Sequence, residues 1–293
     1  MTSPESSTLS VARNLKRSPT SPRTLFSSIM TTLAFVCAVL ALIPLAAVMI
    51  YVLINGFSRL NPAVFFELPP APGLAGGGFG NAFIGTLLTV GLASLMAIPF
   101  GIVGAIYLSE FGRDTKLAET VNFLTNVLSG VPSIVIGAFA YAVVVLRTGT
   151  FSAVAGGFAL AVLMLPTIVR TAAEALEAVP NEYRQAAIGL GSTRMQTTLK
   201  IVLPAAIPAI VTGIMLAVAR AAGETAPVLF TASFNRFWNT TLWQPTATMS
   251  RLVFDFATSP FKAQQELAWA GSLVLIAFVL ITSILSRMII KSR

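Results

Sequence analysis

With 293 residues, 55% hydrophobic side chains, 10% charged ones and a mean hydropathy of +0.82, the chain lies outside the soluble class, in which about a quarter of residues are charged. It has no histidine and one cysteine, Cys37, which excludes an intrachain disulfide and any zinc, haem or iron–sulfur site built on His and Cys ligands. The net charge of +8 comes from Lys and Arg spread between apolar runs, the pattern of a positive-inside membrane protein and not of a nucleic-acid binder.

Residues 1–28 read as a basic cytoplasmic tail, rich in Ser, Thr and Pro and carrying Arg13, Lys16, Arg17 and Arg23. Such a segment is too polar to bury a core and is expected to be disordered. Residues 29–80 read as a first span and an external loop. No charge occurs from Thr24 to Ser58, and the apolar core over 29–54 is long enough to cross a bilayer. It is also far longer than the apolar region of a secretory signal. The loop that follows carries Asn61-Pro62, Pro69-Pro70, Pro72 and three consecutive glycines, Gly76 to Gly78. No strand precedes those glycines, so they do not form a dinucleotide fingerprint.

A second span is expected over about 82–108, with Pro99 and Gly101 offering a kink that neighbouring helices can accommodate. Glu110, Arg113, Asp114, Lys116 and Glu119 form a charged loop. The third span, about 121–146, is interrupted by Gly130-Val131-Pro132-Ser133, and Arg147 with Gly149 marks a tight turn. The fourth covers about 151–169, the fifth about 205–232 and the sixth about 267–285. Between the last two, 233–265 reads as a long external loop whose Trp238 and Trp243 suit interfacial anchoring or, alternatively, a receptor contact. Arg287, Lys291 and Arg293 close the chain. With both termini inside, cytoplasmic segments hold thirteen of the 19 Lys and Arg residues, as the positive-inside rule requires.

The polar stretch 181–204, NEYRQAAIGLGSTRMQTTLKIVLP, stands apart. Gly189 and Gly191 interrupt a helix, and Ser192 and Thr193 are residues that open another. Ala186 and Ala187 give the first helix a small face, suited to close approach by another protein. An ordinary loop between two spans is the alternative. The spacing Gln185-Ala186-Ala187, three residues, Gly191, nine residues, Ile201-x-Leu203-Pro204 resembles the EAA loop of ABC-importer permeases. There it is the coupling helix that fits a cleft on the ATP-hydrolysing subunit. Gln185 stands where that family has Glu, keeping hydrogen-bonding length without the charge.

Two charges lie deep in the fifth span. Arg220 is sixteen residues beyond Pro204, about 24 Å along a helix, where a charge costs about 2.5–3.5 kcal/mol. Glu224 follows at i+4, so the two can pair as a structural couple. Alternatively, Arg220 lines a hydrated anion path, its planar fork of donors matching oxyanion geometry. Gly223 and Pro227 are compatible with a local helix break there. Arg170 closes the fourth span on the cytoplasmic side, where a positive-inside anchor is its ordinary role, and an anion leaving the path could meet it.

The run from Leu203 to Ala232, LPAAIPAIVTGIMLAVARAAGETAPVLFTA, is similar to phosphate ABC-transporter permeases of the PstA type. The resemblance extends through IPFGIVGAIYLSEF, SGVPSIVIGAF and LMLPTIVRTAAEAL, covering about 80–290, with GETAP behind Arg220 its most specific part. It implies an all-α integral membrane protein of the type I importer permease fold, over 81–290, with six transmembrane helices and a cytoplasmic coupling helix. It implies a substrate path of Arg220, Glu224 and Arg170 and a phosphate cargo, with another oxyanion or small solute as the alternative. The implied partners are a homologous second permease in a heterodimer, a dimer of ATP-binding subunits, an external phosphate-binding protein and membrane lipid, with this chain itself in the bacterial plasma (inner) membrane. No cofactor or metal is expected on this chain: ATP and Mg belong to the partner ATPase, since no G-x-x-x-x-G-K-[ST] loop occurs. An intramembrane enzyme would need a nucleophile and base or metal ligands, and no G-x-S-x-G occurs. A passive channel would need no docking loop.

Overall fold

The computed structural model describes residues 22–112 and 115–291, with helices and turns but no strand among the described residues. The tail up to residue 21, together with Arg113, Asp114, Ser292 and Arg293, lies outside the described residues. The chain divides into two compact units between Leu53 and Ile54. The first unit is most of helix α1 (Pro22–Arg59). This helix starts earlier than the sequence suggests, so 22–28 are helical and not tail. Pro22 suits a first helical position, where its missing N–H would be unbonded anyway. Apolar side chains such as Leu25, Phe35 and Leu45 stand exposed along it, and a helix apolar on all faces belongs in a membrane.

The second unit holds the rest. Its helices are α2 (Gly80–Ile106), α3 (Lys116–Gly130), α4 (Ser133–Ala140), α5 (Ala153–Glu177) and α6 (Asn181–Gly189). Then follow α7 (Arg194–Thr197), α8 (Leu203–Gly223), α9 (Ala226–Thr231), α10 (Met249–Ala257) and α11 (Lys262–Lys291). Among the described residues, five helical segments are long and apolar enough to cross a bilayer. The segments Lys116–Gly130 and Ser133–Thr148, the second being α4 continued through a π turn, add a sixth if taken as one span, although the two meet at 108°. The third span is therefore sharply bent where the sequence suggested an interruption. Val131 and Pro132 both take extended backbone (ψ 129° and 137°), and proline forbids the helical bond that would carry the rod through.

Small residues set the packing. Val90, Ala93 and Ala97 of α2 meet Leu160, Ala161, Met164 and Ile168 of α5, with Ala217 and Ala221 of α8 closing the cluster. In a bilayer, where apolar burial alone does not drive helices together, such close approach supplies the attraction. A second cluster joins Phe79 and Ala82 to Met249, Leu252 and Phe256 of α10 and Leu267 of α11. Helix α10 corrects the expectation of a plain loop over 233–265. Its buried Met249, Leu252 and Phe256 recur at helical spacing, and Thr86 of α2 accepts the Met249 N–H at 2.8 Å.

Gly85 marks the tightest approach of this region, because a Cβ there would overlap the Ala247 carbonyl oxygen. Gly85→Ala is expected to destabilise the fold by about 1–3 kcal/mol through overpacking. Thermal unfolding of the purified chain in detergent checks this, and an unchanged Tm would contradict the assigned approach.

Candidate transport path and coupling surface

The fifth span breaks where Arg220 and Glu224 sit. Helix α8 ends at Gly223, Glu224 takes extended backbone (φ −73°, ψ 126°), and α9 starts again at Ala226. Pro227 at the second position of α9 needs no N–H partner, so the restart costs nothing there. Arg220 Nε donates to Glu224 Oε1 at 3.3 Å, with the arginine side chain 61% exposed and the carboxylate 19%. The expected pair is thus formed, but across a helix end and not along a helix face. Glu224 is further held by its main-chain oxygen, which accepts from Ser250 Oγ at 2.9 Å.

The break packs against the bend in the third span. Gly137 of α4 allows this, since a Cβ at that position would stand 2.9 Å from Pro227 Cα. Beside the two breaks lies a cavity of about 370 Å³. Its walls are Leu128, Ser129 and Val131 at the end of α3, Pro132, Ser133 and Ile136 at the start of α4, and Leu163, Pro166, Thr167, Arg170 and Thr171 of α5, with Arg220. Arg220 and Arg170, fifty residues apart in sequence, therefore share one chamber. The N-terminal turn of α4 contributes a partial positive charge to the same wall.

Arg170 needs a correction. It does not end the fourth span, because α5 continues to Glu177. Its Nη2 donates to Asn126 Oδ1 of α3 at 2.8 Å, and the exposed side chain lines the cavity. Asn126 and the hydroxyls of Ser129, Ser133, Thr167 and Thr171 escaped the sequence reading. The i+4 spacing of the last two, and of Ser129 and Ser133, was the available signal.

The coupling stretch folds as two short helices joined at a tight turn. Helix α6 ends in a left-handed Gly191 (φ 84°), with Gly191 N–H bonded to Ile188 O at 2.9 Å and Ser192 N–H to Ala187 O at 3.0 Å. Those two bonds form a Schellman end, which favours glycine at that position. Thr193 then opens α7 through a reciprocal capping box with Gln196, satisfying two orphan donors. Ahead of Pro204, the Leu203 N–H reaches back to Thr198 O through a π turn over Thr198–Val202. Proline cannot donate the next helical bond, so the ladder shifts register before it. Ile201 thus lies in the π turn, and Leu203 and Pro204 open α8.

Of the expected docking residues, Gln185, Ala186 and Gly191 are exposed, whereas Ala187 is buried. The small face is therefore divided: one alanine packs inward and the other faces out. Larger apolar side chains surround them: Tyr183 is 59% exposed, Ile188 53% and Leu190 89%. Met195 and Leu199 continue this apolar surface. Contiguous exposed apolar side chains on an otherwise polar segment mark a contact surface.

Residues 97–293 match the family described as "Binding-protein-dependent transport system inner membrane component". The chain belongs to that family. Among the curated members it resembles is the phosphate transport system permease protein PstA of Yersinia pestis. The two are 41% identical over 239 residues, 82% of this chain and 81% of the relative. PstA of Haemophilus influenzae is 37% identical over 267 residues, 91% of this chain and 94% of the relative. Two solved permeases share the fold. A chain of the MetNI methionine ABC transporter superposes with a TM-score of 0.57 at 18% identity, over 72% of this chain and 92% of that one. A chain of a bacterial alginate ABC transporter gives 0.59 at 15% identity, over 94% and 99%.

This permease has the type I ABC importer fold, and its family match takes in the bent third span, the cavity and the coupling stretch. Its Gln185 departs from the family's Glu without disturbing the helix, since the side chain is exposed.

Proposed function

We propose that this permease carries inorganic phosphate through the bacterial plasma membrane as one half of a heterodimer with a second, homologous permease. In this reading both termini are cytoplasmic. The exposed surface of α6 and α7 docks a dimer of ATP-binding subunits that hold ATP and Mg, and a phosphate-binding protein delivers substrate from outside. The PstA relatives support the substrate class. The observation that carries the reading is the shared chamber of Arg170 and Arg220 at two helix breaks.

The chemistry follows from the side chains. Two guanidinium groups and one carboxylate leave an excess of positive charge for an oxyanion. Hydroxyls and the α4 N-terminal turn supply donors that can replace part of its hydration shell. Glu224 holds Arg220 when the chamber is empty and competes with bound anion, which favours release over retention. ATP-driven movement of the coupling surface tilts α5 and α8 and switches the side from which the chamber is reached.

Labelled phosphate uptake decides the substrate, measured in cells that lack their own high-affinity system and express this chain with its cognate subunits. Uptake is expected to be suppressed by excess arsenate, which has the same shape and charge, and to be insensitive to sulfate. Equal competition by sulfate would favour a general oxyanion permease.

A further inference from the structure

A single guanidinium joins the coupling helix to two separate spans. Arg184 of α6 directs Nη2 to Glu110 Oε1 at 2.6 Å, and Nε lies 3.2 Å from both carboxylate oxygens. Glu110 sits in the π turn Tyr107–Phe111 that ends α2. The same Nη2 donates to Leu176 O at 2.8 Å, and Nη1 donates to Val179 O. These are carbonyls at the C-terminus of α5, where orphan acceptors need partners. The pair is shielded, with the arginine side chain 13% and the glutamate 8% exposed.

We propose that Arg184 and Glu110 form a mechanical clamp, a pair of positioning residues that make the coupling helix move with α2 and α5 as one body. Only Ala178, Val179 and Pro180 link α6 to α5 covalently, and a three-residue joint can hinge. Nothing covalent nearby links α6 to α2. The clamp removes both freedoms, so a displacement of the docked surface reaches α5, which lines the chamber, and α2, which packs against α5. Arginine is required because its planar fork grips the carboxylate through Nε and Nη2 while Nη2 and Nη1 also reach two carbonyls, four bonds in a fixed plane against the three point-centred donors of an ammonium. The inference rests on the importer reading for the origin of the displacement, while the clamp itself is a property of this chain.

The test uses Glu110→Gln, which keeps size and hydrogen bonding but removes the charge, and Arg184→Lys, which keeps charge but loses the fork. In the full chain in nanodiscs, amide hydrogen exchange across 181–192 is expected to rise about tenfold in either variant, with exchange across 203–223 unchanged. Unchanged exchange across 181–192 would overturn the clamp, and a rise spread over the whole chain would reduce the pair to a general folding contact. In the assembled importer, both variants are expected to retain the ATPase subunits and basal hydrolysis. Phosphate moved per ATP is expected to fall about tenfold. A normal ratio with loosened exchange would show that the pair holds the helix without transmitting motion, which also overturns the proposal. The exchange measurement needs no substrate. Failure of wild-type uptake would therefore strike the importer reading and leave the clamp to be judged by exchange alone.

Discussion

Arg220→Gln is expected to lower phosphate uptake about 30- to 150-fold, matching the loss of about 2–3 kcal/mol of charge-assisted hydrogen bonding to the anion. Membrane level and association with partner subunits are expected to be unchanged. The argument rests on where the side chain sits: at the end of α8, in a chamber it shares with Arg170, held to Glu224 at 3.3 Å. Glutamine removes one of the two cations and leaves Arg170 against the Glu224 carboxylate, so the chamber loses its excess of positive charge and its attraction for an oxyanion. Arg220→Lys keeps the charge but loses the planar fork, and its uptake is expected to fall between the two. Glu224→Gln separates the rival account. If Arg220 were only the structural partner of Glu224, both single substitutions would reduce the amount of folded protein in the membrane equally. In a path, Glu224→Gln leaves the cation in place and uptake persists. Full uptake by Arg220→Gln would make the pair structural.

Much of this architecture is legible in the sequence because local chemistry dictates it. The end of α6 was written in Gly191 and the start of α7 in Thr193, since a left-handed turn and a capping box are decided by a few neighbouring residues. The break after Gly223 was equally local. What escaped was set by distance or direction. Glu110 and Arg184 are 74 residues apart, and no periodicity announces that one ends α2 beside the other. Arg170 looked like a span-end anchor because Arg170 is the first charge after an apolar run. The helix, however, runs through Ala172, Ala173 and Ala175 to Glu177, residues too small to signal continuation by hydropathy alone. The 108° bend at Val131 and Pro132 was readable as an interruption, but its angle is fixed by packing of α4 against α9 through Gly137. Helix α10 hid inside a stretch rich in turn residues and aromatics.

Leu190→Asp is expected to weaken association with the ATP-binding subunits about tenfold to a hundredfold and to abolish ATP-driven uptake. Leu190 is 89% exposed, between Gly189 and Gly191, neither of which would meet any neighbour if given a Cβ. It therefore projects from the chain with open space on both sides, as a knob fitting a groove must. Seating a leucine in such a groove contributes about 1.5–3 kcal/mol, and a carboxylate in its place adds a desolvation penalty. Leu190 lies at the C-terminal cap of α6 with φ −86° and ψ 10°, a conformation that aspartate adopts readily, so the substitution leaves the Schellman turn intact. A purely structural loop would therefore tolerate it. Phe237 is 71% exposed, in the segment between α9 and α10, and serves as the control: Phe237→Asp is expected to leave ATPase association unchanged. Co-purification of the subunits at fixed detergent and salt reads both variants. Wild-type stoichiometry with Leu190→Asp would move the docking surface away from α6, whereas equal loss in both variants would indicate general misassembly. Selective loss in Leu190→Asp would locate the energy of docking in an apolar knob that the alanines beside it merely allow to approach.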